Sequence, residues 1–350
     1  MIIILLKYRK SIDILCEMSY NNLYIVVEGM VWKMESLKKR RKYSYRIGRI
    51  AALVLSAAIF LCGCDKNDIS ETSESTSETE STSGKLGEWV ISGEDDTLSA
   101  YPVTVNDVEI TASPQQVICL SSSLTEIVCE LGYGDRLTGR GSYCEYPESV
   151  SALPDFGRPA YPDLDAIIRS SPDLLLTATS IPNIDVVKLN DSGIKVLYIP
   201  APRSLDEFGR IYSALGIVFE GIFDGEDDGN KIYTDIRNKL TGSGITVGSF
   251  VYVTEGGAVA GGDTIESSVL SLFGTNLAKD ASGYCYAADV LGEEQPDVVI
   301  INSDVSSDVI TGDEKLGTLD AVQSGKLISI SNSYFESPSG RIIGILDELS

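Results

Sequence analysis

The sequence has no histidine among its 350 residues. Because histidine is the usual general base and the commonest zinc ligand, a Ser-His-Asp or Cys-His catalytic site is excluded. Its absence also argues against a receptor for bare zinc or manganese ions, which depend on imidazole. We therefore expect no catalytic residue, no resident cofactor or metal and no enzymatic activity.

Basic residues are scarce as well. The chain has 28 Lys and Arg against 51 Asp and Glu, and 11 of the basic residues fall within residues 1–63. The strongly acidic remainder argues against nucleic acid as a partner, since phosphates need clustered Lys and Arg. With 43% hydrophobic residues, the chain is long and apolar enough to bury the cores of about two domains.

The N-terminal segment has the layout of an export signal. A basic block (38–42) precedes an apolar run (50–61) that is too short to span a bilayer. The run ends in Leu-Cys-Gly-Cys, which resembles the lipobox of bacterial lipoproteins and implies a lipid such as palmitate on Cys64. The alternative is a signal anchor with a chance cysteine. We expect residues 1–63 to be a leader and lipoprotein signal peptide, with Met34 or Met30 as a possible true start.

Residues 64–84 are almost entirely polar and rich in Ser, Thr and Glu. Such a segment cannot repay the entropy of ordering, which predicts a flexible tether after the lipid anchor. The folded part then divides into an N-terminal α/β lobe (85–203), an interlobe helical segment (204–240) and a C-terminal α/β lobe (241–350).

The two lobes repeat one pattern of residues. Asp165 stands seven residues before Pro172-Asp173 and an apolar run, and Asp289 stands seven residues before Pro296-Asp297 and another. Each half therefore reads as carboxylate, short helix, Pro-Asp and buried strand.

Helical signals dominate the segment between the repeats. Ser204 and Glu207 form a capping box, and apolar residues follow at helical spacing until Gly225 and an acidic run interrupt them. We expect either two helical pieces or one broken helix.

The first strand of the N-terminal lobe, residues 117–120, is followed by three serines and a helix. Ser123 and Glu126 have the spacing of a capping box. Free backbone donors at the carboxyl end of a strand attract ligands, so Ser122 and Ser123 are candidate ligand contacts. Plain helix capping is the alternative.

Several motifs resemble substrate-binding proteins of the iron-siderophore and vitamin B12 class of ABC importers. They are Ser-Leu-Thr-Glu (123–126), Leu-Gly-Tyr-Gly-Asp (131–135), Ser-Tyr-Cys-Glu-Tyr-Pro (142–147), Leu-Pro-Asp-Phe-Gly (153–157), Asp-Leu-Asp-Ala-Ile (163–167), Pro-Asp-Leu-Leu-Leu (172–176), and the segments 193–199, 261–264, 278–280 and 334–341. The likeness covers about residues 102–349 and rests on the order and spacing of the motifs.

This resemblance implies two Rossmann-like α/β lobes joined by a long interlobe helix, with a largely pre-formed ligand cleft between them. It also implies a monomer that is anchored on the extracytoplasmic side of the cell membrane. Its partners would be an ABC permease and the ATPase of that permease.

Position matches to the family also imply which residues face the ligand. These residues are Tyr143, Arg158, Tyr161, Tyr284, Tyr286, Tyr334, Phe335, Glu336 and Arg341. A tyrosine offers an apolar face and one polar tip, which suits a large flat ligand. Each of three residues has an alternative role. Tyr143 could pack in its loop, Arg158 could pair with surface acids, and Arg341 could anchor the final helix.

Asp165 and Asp289 match family positions that carry glutamates, one in each lobe, that contact arginines of the permease. The resemblance therefore implies that both are permease-docking residues. Aspartate is one methylene shorter, and an aspartate at a helix N-terminus is also favoured by the helix dipole alone.

Cysteines are few and lack the CxxC spacing of redox or zinc sites. Cys119 and Cys129 are expected to be buried thiols. Cys144 and Cys285 each stand beside a predicted cleft tyrosine, so a bridge between them, a contact with a bound metal centre and inert free thiols are all open.

The motifs at 142–147 and 334–341 favour a cobalt corrinoid over haem or a ferric siderophore as the ligand. A tryptophan-lined site is not available, because Trp89 is the only tryptophan left after processing and it precedes the first lobe. The alternatives are a lipoprotein that senses its ligand without transport and an enzyme on a similar two-lobed scaffold.

Overall fold

A computed structural model describes residues 2–8, 12–19, 22–27, 30–34 and 99–350. The chain divides into two compact units, Met1–Glu78 and Thr79–Ser350. Four strands of the first unit pair antiparallel in chain order: β1 (Ile2–Tyr8), β2 (Ile12–Ser19), β3 (Asn22–Val27) and β4 (Met30–Met34). The rest of the predicted signal peptide, Cys64 and the tether lie outside the described residues, so the lipid anchor stays a prediction.

The N-terminal lobe begins with a hairpin of β5 (Val103–Val105) and β6 (Val108–Ile110). Its main sheet is parallel, with the strand order β12-β11-β7-β8. The elements of this lobe after the hairpin are β7 (Val117–Cys119), α1 (Ser122–Glu130), β8 (Leu137–Arg140), α2 (Glu148–Ser151), β9 (Gly157–Arg158), β10 (Tyr161–Pro162), α3 (Leu164–Ser170), β11 (Leu174–Thr177), α4 (Asn183–Asp191) and β12 (Lys195–Tyr198). Strands β7 and β11 are wholly buried, which explains why they read as continuous apolar runs.

Two helices connect the lobes, α5 (Leu205–Glu220) and α6 (Gly225–Thr241). The Ser204 hydroxyl accepts a hydrogen bond from the Glu207 backbone N–H at 3.2 Å, so the predicted cap is confirmed. The helices run antiparallel and touch closely, because a Cβ added to Gly216 would overlap the Gly225 carbonyl oxygen. The segment therefore forms two helical pieces, which was the first of the two expectations. The resemblance implied a single long helix, and the structure has a pair of helices instead.

The C-terminal lobe is built on a six-stranded sheet. Strands β15, β13, β17 and β18 run parallel, and β14 and β16 add an antiparallel edge. Its elements are β13 (Gly248–Val253), β14 (Val259–Ala260), α7 (Ile265–Leu270), β15 (Gly274–Asn276), β16 (Tyr284–Cys285), α8 (Ala287–Leu291), β17 (Val298–Asn302), α9 (Ser307–Gly312), α10 (Asp320–Gln323), β18 (Leu327–Ile330), α11 (Ser333–Glu336) and α12 (Ile345–Leu349).

The Pro-Asp repeat has the same structural role in both lobes. The Asp173 carboxylate accepts backbone hydrogen bonds from Gln115 and Gln116 at 2.6 and 2.9 Å, just before β7. The Asp297 carboxylate accepts from the backbone N–H and hydroxyl of Ser249 at 2.8 and 2.7 Å, and these donors lower its pKa. Each aspartate therefore fixes the start of the neighbouring strand, which aligns the carboxyl ends of the parallel strands.

Across residues 99–350, as in the other described segments, no helix is long and apolar enough to cross a bilayer.

Candidate functional site

The carboxyl ends of the parallel strands meet at the junction of the lobes. Ser123, which follows β7, donates a hydrogen bond from its hydroxyl to the Pro338 carbonyl, which follows β18. Arg203, which follows β12, pairs with Asp263 of the C-terminal lobe at 2.8 Å. Since ligands of open α/β sheets bind at these strand ends, the junction is the candidate ligand cleft.

Residues 338–341 form a C-terminal latch against α1 of the N-terminal lobe. Glu126 of α1 is 2% exposed and accepts two hydrogen bonds from the Arg341 guanidinium, at 2.7 and 2.5 Å. The Ser339 hydroxyl donates a third at 2.5 Å. Arg341 also lies over the ring of Tyr146, 4.5 Å from its centroid. The Arg341 guanidinium is therefore held by Glu126 and Tyr146 of the N-terminal lobe, and its ligand contact stays a prediction.

Glu130 is the second carboxylate in the C-terminal latch. It accepts a hydrogen bond from the Gly340 backbone N–H at 2.8 Å and another from the Tyr212 hydroxyl. Burial raises the pKa of Glu130 above its ordinary value, although these donors oppose the shift. The latch thus connects α1, α5 and the C-terminal segment around one buried acid, Glu126, and one partly buried acid, Glu130.

The predicted capping box at Ser123 and Glu126 is wrong. The helix cap is Ser121, whose hydroxyl accepts from the Leu124 backbone N–H at 3.4 Å. Ser123 and Glu126 are both occupied by the C-terminal latch. The Ser122 hydroxyl donates to the Tyr143 carbonyl at 2.7 Å and holds the next loop. Both serines predicted to contact the ligand therefore donate their hydroxyl hydrogens within the protein.

Residues 334–336, which lie in α11, are only partly available to a ligand. Phe335 is buried and packs edge-on against Tyr252, with ring centroids 5.3 Å apart, so its predicted ligand contact is wrong. Tyr334 is half-buried, with its hydroxyl against Gly344. Glu336 is exposed, and its contact with the ligand stays a prediction.

Aromatic side chains of both lobes are exposed around the cleft. The exposed fractions are 59% for Tyr143, 85% for Tyr161, 55% for Tyr284 and 75% for Tyr286. The Arg158 guanidinium lies 5.6 Å from the ring centroid of Tyr143. Tyrosines this exposed fill no core, so the prediction that Tyr143 merely packs in its loop is not supported.

Sequence reasoning missed two residues of this region. Tyr146 is half exposed and lies in the same motif as Tyr143, which was a usable signal. Glu266 is buried in the first turn of α7 and accepts a hydrogen bond from the Tyr284 hydroxyl at 2.9 Å. Burial and the neighbouring Glu266 carboxyl raise the pKa of Tyr284, so this phenol stays protonated. A single glutamate in a short helix gave no signal.

A polar cavity of about 560 Å³ lies where α5 begins beside α7. It is lined by Arg203, Ser204, Glu207, Gly262, Asp263, Ser267, Ser268, Ser271 and Lys279. None of the ligand-binding residues predicted from the sequence lines it, although it includes the Arg203–Asp263 pair at the junction of the lobes.

Asp165 and Asp289 are exposed, one in each lobe, in the first turns of α3 and α8. Asp165 pairs with Lys188 at 2.8 Å, and this partner lowers its pKa. Docking to a permease stays a prediction for both.

The four cysteines within residues 99–350 are free thiols, so no bridge joins Cys144 to Cys285. Cys144 is buried and donates to the Cys119 carbonyl at 3.7 Å, and the Cys285 thiol donates to the Ser282 carbonyl at 3.4 Å. No group of three His, Cys, Asp or Glu side chains within the described part of the chain is placed to hold a metal ion.

No protein-family model matches the chain. A cobalamin-binding protein of Halobacterium salinarum is 23% identical over 279 residues, which cover 71% of this chain and 73% of that protein. An uncharacterized ABC transporter substrate-binding lipoprotein of Bacillus subtilis, YvrC, is 23% identical over 326 residues, covering 87% of this chain and 96% of the relative.

Solved structures of solute-binding proteins have a similar fold. A possible iron-binding periplasmic solute-binding protein of Staphylococcus epidermidis matches with a TM-score of 0.58 at 21% identity, over 68% of this chain and 97% of its own. The periplasmic vitamin B12 binding protein of Vibrio cholerae matches with a TM-score of 0.51 at 21% identity, over 67% of this chain and 95% of its own. The predicted two-lobed α/β fold class is confirmed. In sequence and fold, the chain therefore resembles the substrate-binding proteins of the iron-siderophore and vitamin B12 class of ABC importers.

Proposed function

We propose that the chain is a lipid-anchored extracytoplasmic receptor that captures a corrinoid and delivers it to an ABC importer permease. The observation that carries the proposal is the set of exposed tyrosines contributed by both lobes, Tyr143 and Tyr161 by the first and Tyr284 and Tyr286 by the second. Flat aromatic faces on two sides of a cleft suit a large planar macrocycle, because they bury its apolar faces while their hydroxyls contact its polar rim.

The few available arginines near the predicted ligand surface favour a corrinoid over a strongly anionic siderophore. Arg341 is committed to Glu126, and Arg203 is paired with Asp263. Arg158 is exposed beside Tyr143 and is one cation at the predicted ligand surface of the N-terminal lobe. A strongly anionic catecholate siderophore needs several cations around it, whereas a corrinoid does not. The relative of Halobacterium salinarum named as cobalamin-binding supports the same choice.

Delivery needs a membrane anchor and a docking surface. In this proposal the lipid on Cys64 and the tether at 64–84 keep the monomeric receptor at the membrane. Asp165 and Asp289, one in each lobe, set its orientation on the permease. The relative of Bacillus subtilis that is named as an ABC transporter lipoprotein supports this arrangement.

The test is a calorimetric titration of the detergent-solubilised full-length chain with cyanocobalamin, haemin and a ferric hydroxamate siderophore in parallel. We expect saturable one-to-one binding of cyanocobalamin. Tyr143→Ala and Tyr284→Ala should each weaken that binding by roughly tenfold, since each removes an aromatic contact worth about 1 kcal/mol beyond its buried area. Phe223→Ala, which truncates a half-exposed ring in the turn between α5 and α6, is the matched control and should bind like the wild type.

Exclusive binding of haemin or of the siderophore would replace the corrinoid as the ligand and keep the receptor. No binding of any of the three would contradict capture itself.

A further inference from the structure

Glu266, near the junction of the lobes, has a carboxyl oxygen without a hydrogen-bond partner among the described residues. Its side chain is 93% buried, since 7% is exposed, and it lies in the first turn of α7. One carboxyl oxygen, Oε1, accepts the Tyr284 hydroxyl at 2.9 Å. The other, Oε2, is buried and has no hydrogen-bond partner among the described residues. Because buried polar atoms are almost always paired, an unpaired one calls for a partner that the described residues do not supply.

The surroundings place Glu266 on the cleft side of the C-terminal lobe. Tyr252 stands near the carboxyl end of β13, Asp304 follows β17, and Glu336 ends α11 after β18. Burial raises the pKa of Tyr252, and Glu266, Tyr284, Glu336 and Asp304 raise it further. Asp304 and Glu336 thus follow two neighbouring parallel strands, at the edge that binds ligands in open α/β sheets.

Tyr284 separates this acid from the cleft. Tyr284 is 55% exposed, and its hydroxyl donates a hydrogen bond to Glu266. A ligand that seats on the ring and turns the side chain to another rotamer opens a path to Oε2. The exposed aromatic platform and the unpaired acceptor beneath it thus form one unit, which we call the Tyr284–Glu266 pair.

We propose that Oε2 of Glu266 accepts a hydrogen bond from an amide N–H at the rim of the bound ligand. The C-terminal lobe would then select ligands with amide side chains over ligands with carboxylates. This inference rests on the proposed function, in which the ligand is a corrinoid. An amide N–H pairs with the free acceptor, whereas a ligand carboxylate would add a fourth carboxyl group to those of Glu266, Glu336 and Asp304.

A purely positioning role for Glu266 makes a different prediction. Glu266→Gln retains Oε1 as the acceptor for Tyr284 and converts Oε2 into an NH₂ donor. If Glu266 only held the Tyr284 ring in place, this change would leave ligand selectivity unaltered. If Oε2 meets the ligand, the change turns an acceptor into a donor and should lower the preference for the ligand with amides.

The experiment compares two corrinoids on the detergent-solubilised full-length chain. Cobinamide carries amide side chains on the ring, and cobyrinic acid carries carboxylates at the same positions. We expect the wild type to bind cobinamide at least about 10-fold more tightly, the usual scale for a hydrogen bond to an ionised group. Glu266→Gln should lower that ratio by roughly 10-fold or more, with weaker cobinamide binding and stronger cobyrinic acid binding.

Glu314→Gln, which neutralises an exposed carboxylate of the same lobe, is the control and should keep the wild-type ratio. A thermal unfolding curve establishes that each variant is folded. If Glu266→Gln fails to fold, Tyr284→Phe removes the hydrogen bond to Oε1 and leaves both acceptor oxygens, so the cobinamide preference should be kept or raised.

The outcomes separate the two proposals. Binding of cobinamide with an unchanged ratio in Glu266→Gln, or a loss of preference in Tyr284→Phe, would overturn the role of Oε2 and leave corrinoid capture standing. Absence of binding of either corrinoid to the wild type would overturn the proposed ligand and this inference together.

Discussion

Gly216→Ala should destabilise the chain through the contact between the two interlobe helices. A Cβ on Gly216 of α5 would overlap the carbonyl oxygen of Gly225 in α6, well inside the 3.0 Å that real Cβ contacts respect. The obstacle is backbone, so no change of rotamer relieves it and the helices must move apart.

The magnitude follows from two opposing effects. Overpacking of a close contact costs about 1–3 kcal/mol and sometimes more. Alanine favours a helix over glycine by about 1 kcal/mol, which acts in the opposite direction. Separation of the helices also loosens the packing of Tyr233 of α6 against Phe208 of α5, whose ring centroids are 5.7 Å apart. We expect overpacking to win, and the free energy of unfolding to fall by about 2 kcal/mol.

Urea unfolding followed by far-UV circular dichroism measures this change, with the slope against urea checked for constancy. Gly312→Ala at the end of α9 is the matched control, because a Cβ there meets no atom within 4 Å. It should leave stability unchanged or raise it by up to about 1 kcal/mol. An unfolding midpoint for Gly216→Ala at or above that of the wild type would refute the close-contact explanation, as would equal losses in both variants.

Three further predictions concern the C-terminal latch and the docking surface. Arg341→Ala should lower the free energy of unfolding by about 3 kcal/mol, because it leaves the buried Glu126 carboxylate with Ser339 as its remaining donor; a urea midpoint equal to that of the wild type would contradict the anchoring role. Burial raises the pKa of Glu130 above its ordinary 4.5, so its stabilising contribution is fully present below that pH and is lost as pH rises through the folded value; Glu130→Gln should flatten this slope in urea midpoints, and identical slopes would count against it. Asp165→Lys combined with Asp289→Lys should abolish uptake by cells while leaving ligand affinity intact, and unchanged transport would rule out docking through these residues.

Features with local causes were predictable from the sequence. The cap at Ser204 joins a hydroxyl to a backbone N–H three residues away, so its signal lies within one helical turn. Asp173 and Asp297 could be placed because each precedes a continuous apolar run that only a buried parallel strand explains. Position matches to a known class supplied Tyr143 and Tyr284, which are exposed at the candidate cleft.

Features with distant causes were not predictable. Three consecutive serines, residues 121–123, stand at the start of α1, and from the sequence each is chemically able to cap it. The choice of Ser121 depends on Ser123 and Glu126 being occupied by residues more than 200 positions later in the chain. In the same way, Phe335 of α11 is buried against Tyr252 of β13, and the residues next to Phe335 in the sequence do not indicate that contact.

The C-terminal latch also imposes an order on how the chain matures. A ribosome delivers Glu126 and Glu130 long before it delivers residues 339–341, which supply much of their hydrogen bonding. Until then α1 carries two acids beside the first hydrophobic core without their final partners, so the N-terminal lobe remains unfinished after its own last strand has emerged. The final hydrogen bonds of α1 therefore form only after residues 339–341 of the C-terminal lobe have been synthesised.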